Sequence, residues 1–274
     1  MREHIKQESS EEYNRESISQ AIHTKWAGNT VHFTLETDST NEWIKRLVRE
    51  GAGHGTLAVA EYQSAGKGRL GRQWIAPAGS CITMSLLLVP DFAPAYASML
   101  TLVMGLSVGR AVSETGVEAS IKWPNDVVVS HKKICGILTE MELEKKRIRE
   151  VVIGVGINVN LTEIREDLQD KATSLYLETG RHYDRNRLIG LVMREFEKNY
   201  ECFVQTLDLS LLVQKYHQLL ANKDQPVRVL AQEPFDGIAR GITEKGELLV
   251  QTKEGSVVKV SSGEVSVRGL YSYA

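Results

Sequence analysis

The sequence predicts a large domain of alternating strands and helices, followed by a small β-barrel. Three observations carry this. Between residues 30 and 160, short β-branched apolar runs alternate with amphipathic stretches. From about residue 223 the pattern changes to short strands separated by the turn pairs Asp236-Gly237, Lys245-Gly246 and Glu254-Gly255. A chain of 274 residues is long enough for one large domain with a small companion. The expected divisions are a polar arm over 1–20, the main domain over 21–222 and the small domain over 223–274.

Each element has a local reason. Residues 1–17 are polar and read as a frayed or helical arm, and "SISQAIHTKW" adds a short helix. "TVHFTLETDSTN" begins as a strand, with Val31, Phe33 and Leu35 alternating with polar neighbours. "STNEWIKRLVREG" reads as a helix capped by Ser39 or Thr40, with Trp43, Leu47 and Val48 as its apolar stripe and Gly51 as its stop. "GTLAVAEYQ" is a buried strand leading into the loop "GKGRLGR", and "CITMSLLLVP" is the next strand, closed by Pro90. "AYASMLTLVMGLSVGRAVSETG" predicts a long apolar helix. "EASIKWPNDVVVS" predicts a strand broken at Pro124, followed by strands in "HKKICGILTEMEL" and "REVVIGVGINVNL". The glycines of the last of these point to close approach by another group. "DRNRLIGLVMREFEKNYECF" and "DLSLLVQKYHQLL" are amphipathic helices.

Composition narrows the function. The net charge is −2, so cations that matter for binding must be clustered locally. Cys81, Cys135 and Cys202 are odd in number and far apart, which argues against a disulfide framework or a cysteine zinc site and suits a reducing cytoplasm. The N-terminus lacks the apolar region of a signal peptide. No apolar run is expected to reach the roughly 20 residues that span a bilayer, so no membrane association is expected.

Two motifs are decoys. Gly66, Gly68 and Gly71 match G-x-G-x-x-G, but "RQWIAPAGS" follows with Pro77 and Gly79 and cannot supply the helix that a dinucleotide site needs. "GLSVG" has the form of a nucleophile elbow, but Ser107 lies inside a helical pattern, where small residues four apart mean close packing. The loop "GKGRLGR" is more informative. As a solvated turn it would merely aid solubility; between two buried strands, Lys67, Arg69 and Arg72 can instead wrap a phosphate or carboxylate with backbone N–H groups. A second cationic stretch holds Lys122, Lys132 and Lys133 beside Asn125 and Asp126. That Asn-Asp pair suits either a nucleotide phosphate with Mg²⁺ or a plain hairpin turn.

Taken together, "DSTN" (38–41), "EYQSAGKGRLGRQW" (61–74), "KWPNDVVVSHKKICGIL" (122–138) and "VVIGVGINVN" (151–160) appear in an order that resembles the biotin protein ligases. The resemblance runs from about residue 21 to the C-terminus. It implies an α+β fold, a mixed β-sheet flanked by helices like that of class II synthetases, with an SH3-like β-barrel after it. It also implies ATP-dependent, AMP-forming ligation of biotin to a lysine of a biotin carboxyl carrier protein through biotinyl-adenylate. The loop departs from the family's usual GRGRxGR at Lys67, which keeps the charge but not the bidentate geometry. About 25 residues precede the main domain, too few for the winged helix that some members carry; a ligase-only protein with no specific DNA binding is expected.

The resemblance assigns Ser39, Thr40, Asn41 and Gln63 to the polar head of biotin, Trp74 and Gly136 to the apolar part of its pocket, and Lys67, Gly68 and Arg69 to a loop that closes over the adenylate. Lys133 is expected at the biotin carboxylate and α-phosphate with Lys122 nearby. Arg69, Arg72, Lys122, Asn125, Gly154, Gly156 and Asn158 are expected around the nucleotide. Catalytic roles fall to Lys133, Arg69, Lys122 and Asp126, the last also as a Mg²⁺ ligand or a base for the acceptor lysine. A cytoplasmic homodimer paired through the central sheet completes the expectation. The alternatives are a lipoate ligase or lipoyl transferase of the same fold, and a non-enzymatic biotinyl-adenylate sensor.

Overall fold

The computed structural model describes residues 12–262, 266–269 and 273; most of the expected polar arm lies outside them. The chain begins with helix α1 (Arg15–Ala21), capped by Asn14, whose side chain accepts from the Ser17 N–H. A seven-stranded sheet follows in the order β1-β2-β3-β7-β6-β5-β4, formed by β1 (Thr30–Thr37), β2 (Thr56–Gln63), β3 (Cys81–Leu88), β4 (Ser120–Lys122), β5 (Asp126–Val129), β6 (Lys132–Glu144) and β7 (Arg147–Asn158). Only β1 and β2 pair in parallel, which makes the sheet mixed. Helices α2 (Thr40–Arg49), α3 (Leu100–Glu114), α4 (Leu175–Thr179), α5 (Arg185–Thr206) and α6 (Val213–Leu219) flank it. A second, antiparallel sheet has the order β11-β10-β9-β8-β12, from β8 (Pro226–Leu230), β9 (Phe235–Ile242), β10 (Leu248–Gln251), β11 (Val257–Val260) and β12 (Ser266–Gly269).

Side chains on a strand alternate between faces, and this alternation builds two different cores. Leu57, Val59, Met84, Leu86, Ile153 and Val155 face the layer of α3 and α5. Ala58, Leu87 and Val152 face the other way and are covered by Ile44 and Leu47 of α2. Each of these α2 side chains contributes about 1.5–3 kcal/mol by burial. The α2 face bears the site. One row of it runs Ala58–Ser85–Gly154–Leu138 and the next Ala60–Thr83–Gly156–Gly136. Glycines in the middle of these rows leave a trough that α2 does not fill.

Several local expectations change. Leu35 is 72% exposed, because β1 is an edge strand whose C-terminal half carries no helix. The stripe of α2 is Ile44 and Leu47, with Trp43 and Val48 at its margin, and neither Ser39 nor Thr40 caps it by a side-chain bond. Asp236-Gly237 lies inside β9, where Gly237 packs against the Gln251 carbonyl. The segment Pro94–Glu114 is long and apolar enough to cross a bilayer, but most of its apolar stretch is buried in the fold. Ser107 sits in that helix, fully buried, donating to Val103 O and accepting from Asn199 Nδ2.

Candidate active site

Helix α2 begins at the trough and delivers three buried polar residues, Ser39, Thr40 and Asn41. The turn before it is held by Asp38, which takes two short bonds from Arg46 and is held well below the usual carboxylate range by them. Thr40 donates from N–H and Oγ1 to Gln63 Oε1, at 2.7 and 3.0 Å, which fixes the side chain at the end of β2. Ser85 Oγ lies 2.7 Å from Thr40 Oγ1 and 2.6 Å from Asn41 Oδ1. Asn41 Nδ2 donates to Glu140 Oε2 at 2.7 Å. Asn41 lies so close to Gly154 that a Cβ there would collide with Oδ1, and the Trp74 ring lies just as close on Gly156. The Trp74 indole N–H is buried without an acceptor among the described residues, leaving a donor for a guest in the trough.

The glycine-arginine loop closes the trough. Its backbone folds back on itself, with Gly68 N–H to Arg72 O at 2.7 Å and Trp74 N–H to Gly66 O at 2.9 Å. These two N–H groups are therefore occupied within the loop, whereas the sequence reading expects backbone N–H groups to join the side chains around an anion. Leu70 and Gly71 take left-handed conformations at its tip, φ 56° and 72°. Arg69 reaches inward, donating to Asn125 Oδ1 at 2.9 Å and, at 2.7 Å, to the carbonyl of Ser262, two residues after β11. Lys67 turns to α2 and pairs with Glu42 at 2.6 Å. Glu42 also holds Lys45, which reaches Glu140, so an ionic chain links the loop to the anchor of Asn41.

On the other side of Trp74 a second groove opens, lined by Arg69, Arg72, Lys122, Asn125, Asp126, Lys133, Lys171, Arg268 and Tyr273. Its centre is Asp126, buried at the start of β5. Burial alone would raise this carboxyl's pKa, but Lys133 Nζ at 2.7 Å and the Tyr273 hydroxyl at 2.7 Å hold it below its ordinary value. Lys122 is buried too, and that burial brings its pKa down to about 8 against the opposing pull of Asp126. Arg69 is also lowered, by burial first, while Asp126 works to raise it.

Every residue assigned to biotin lines the first trough: Ser39, Thr40, Asn41, Gln63, Lys67, Gly68, Arg69, Trp74, Lys133 and Gly136. Asn125, Gly154 and Gly156 join them there, and Arg72 and Lys122 stand in the adjoining groove. Asn158 lines neither space. It lies one row beyond Gly156, and its amide donates to Thr173 O at 2.9 Å, tying the loop after β7 to the sheet. Asp126 makes a poor standing magnesium ligand. Lys133 and Asn125 take one of its oxygens and Tyr273 the other. No cluster of three metal-ligating side chains occurs among the described residues.

Residues 35–158 match the biotin/lipoate A/B protein ligase family, and residues 224–268 match the biotin protein ligase C-terminal domain. The chain is 37% identical to the bifunctional ligase/repressor BirA of Bacillus subtilis, over 84% of this chain and 71% of that protein. The chain belongs to the biotin protein ligase family. Among other biotin protein ligases, it is 33% identical to the biotin–[acetyl-CoA-carboxylase] ligase of Mycobacterium tuberculosis, over 84% of this chain and 86% of that one. It also resembles the Aquifex aeolicus biotin protein ligase solved with biotin and ATP, with TM-score 0.76 and 35% identity over 88% of this chain and 99% of that one.

Four residues of this candidate site escape sequence reasoning. Ser85 leaves a faint mark, as a hydroxyl in the otherwise apolar "CITMSLLL". Glu42 and Glu140 look like ordinary surface acids, and Tyr273 lies far from every motif; only the fold brings them to the site.

Proposed function

We propose that this protein joins biotin to a lysine of a biotin carboxyl carrier domain in two steps. The biotin carboxylate oxygen attacks the α-phosphorus of ATP, and the bond from that phosphorus to the bridging oxygen breaks as pyrophosphate leaves. The acceptor amine then attacks the acyl carbon, the acyl–oxygen bond breaks with its electron pair going to AMP, and the amine's proton passes to Asp126. Neither step uses an enzyme nucleophile. Catalysis comes from holding the reactants together and from cations facing the charge that develops.

What supports this reading most is a pair of adjoining spaces, a trough and a groove that share Arg69, Trp74, Asn125 and Lys133 in their walls and offer two chemistries. The trough offers buried Thr40 and Asn41 with half-buried Gln63, a polar set that discriminates a ureido-type head by hydrogen bonding. The groove offers Lys133, Lys122 and Arg69 to a carboxylate and phosphates. In this reading Lys133 sits at the reacting carboxylate and α-phosphate, and Arg69 with Lys67 and Gly68 covers the adenylate. Arg72, Lys122 and Asn125 face the phosphates, while Gly136, Gly154 and Gly156 make room along the floor. A magnesium ion would arrive with the nucleotide, held chiefly by its phosphates.

The carrier domain, a homodimer paired through the sheet, a cytoplasmic setting and the lack of specific DNA binding belong to the same proposal, as do folding units at 21–222 and 223–274. Incubation with ATP and either biotin or lipoate, with pyrophosphate as the readout, tests it. Release with biotin and not with lipoate is expected; the reverse would assign the site to lipoate chemistry.

A further inference from the structure

Tyr273 belongs to none of the motifs, yet it stands in the second groove. It follows β12, and its Oη donates to Asp126 Oδ2 at 2.7 Å. Lys122 Nζ lies 3.5 Å from the centroid of its ring, within the range of a cation–π contact. Burial, reinforced by the Asp126 charge, raises the pKa of the phenol, so it remains a neutral donor at working pH. The other Asp126 oxygen takes Lys133 Nζ at 2.7 Å and Asn125 Nδ2 at 3.1 Å. Arg69 from the loop, Lys122 on β4 and the neutral Cys135 thiol on β6 complete the surroundings of Asp126. Arg72 and Arg268 act on Lys122 and on Tyr273 itself.

We propose that Tyr273 is a positioning residue for the transfer step: its hydroxyl orients the Asp126 carboxylate and its ring seats Lys122, so that the second groove presents a fixed acceptor oxygen to the incoming lysine amine. The inference rests on the reading of Asp126 as the group that takes the amine's proton. A carboxylate oxygen accepts at two sites, so the phenol and the amine share Oδ2 and the phenol sets the direction of the free site. A hydrogen bond to the charged form also favours that form. Removing it leaves Asp126 both less directed and more easily protonated.

The test compares Tyr273→Phe, which keeps the ring over Lys122, with Tyr273→Ala and Asp126→Asn. Single-turnover transfer from preformed biotinyl-adenylate to a carrier domain is measured from about pH 4 to about pH 9, a range that starts near the ordinary carboxylate value toward which the Asp126 pKa rises when the phenol is lost. Adenylate formation and melting temperature are measured in parallel. Tyr273→Phe is expected to slow transfer by about tenfold, the scale of one hydrogen bond to a charged group. It should slow adenylate formation less, and shift the acid limb of transfer to higher pH. Tyr273→Ala is expected to slow transfer at least as much. Equal losses in both steps with an unmoved limb and a lowered melting temperature would mean a structural role only, and would overturn the proposal. If Asp126→Asn slows transfer but Tyr273→Phe behaves as wild type, the Tyr273 assignment alone fails. If Asp126→Asn transfers at the wild-type rate, the reading of Asp126 fails and this inference with it.

Discussion

Gly154→Ala is a sharp test of the trough, because it adds one methyl group to a floor that has no space for it. The new Cβ would collide with Asn41 Oδ1. Asn41 cannot easily retreat. Ser85 Oγ holds Oδ1 at 2.6 Å, Glu140 holds Nδ2 at 2.7 Å, and the residue is 3% exposed in the first turn of α2. Forcing a methyl into a packed site costs about 1–3 kcal/mol. Breaking the neutral Ser85–Asn41 bond would cost about 1 kcal/mol, and the bond to the Glu140 carboxylate about 1.5–3 kcal/mol. Moving the shell is thus no easier than tolerating the overlap. A loss of about 1–3 kcal/mol corresponds to a dissociation constant for biotin roughly 5- to 150-fold weaker. Gly53→Ala is the control, since nothing lies within 4 Å of a Cβ there. Isothermal titration with biotin reads both variants. If Gly154→Ala binds biotin as tightly as the Gly53→Ala control, the trough is not the biotin site and the assignment of Asn41 fails with it.

Lys133→Ala is expected to reduce adenylate formation on the order of 10²-fold, as removal of other electrostatic donors at a reacting centre does; near-normal pyrophosphate release would remove Lys133 from the chemistry. Arg69→Gly deletes the bonds to Asn125 and Ser262 that hold the loop down. Loss of bonds from a charged donor should raise escape of the adenylate on the order of tenfold or more. Incubation with biotin, ATP and serum albumin would then label the albumin, and an unlabelled albumin alongside normal adenylate synthesis would refute the role of the loop as a cover. Burial brings the Lys122 pKa down to about 8, so its cation is present at neutral pH and lost as pH rises through that value. The KM for ATP should rise between about pH 7 and about pH 9, as the attraction for phosphate fades. The Lys122→Gln variant should show a higher KM that is flat over the same range; an equally steep rise in that variant would place the titration elsewhere.

The sequence by itself determined the order and type of most elements and singled out the residues that meet in the first trough. Strand period, helix stripe and turn residues are local properties, and the loop and "KWPND" motifs place their side chains over short stretches of chain. The packing of Ile44 in place of Trp43, and the outward turn of Leu35, were decided by which face α2 and the sheet edge leave covered. Asn158 shares a strand and a face with Gly154 and Gly156, yet one step of register takes it from the trough to Thr173. The charge partners needed the tertiary structure most. Glu42 meets Lys67 across 25 residues, Glu140 meets Asn41 across 99, and Tyr273 meets Asp126 across 147. No periodicity in a chain records such distances. A carboxylate becomes an anchor, and a phenol a guide, only when folding removes water from around them and leaves one another as the available hydrogen-bond partners.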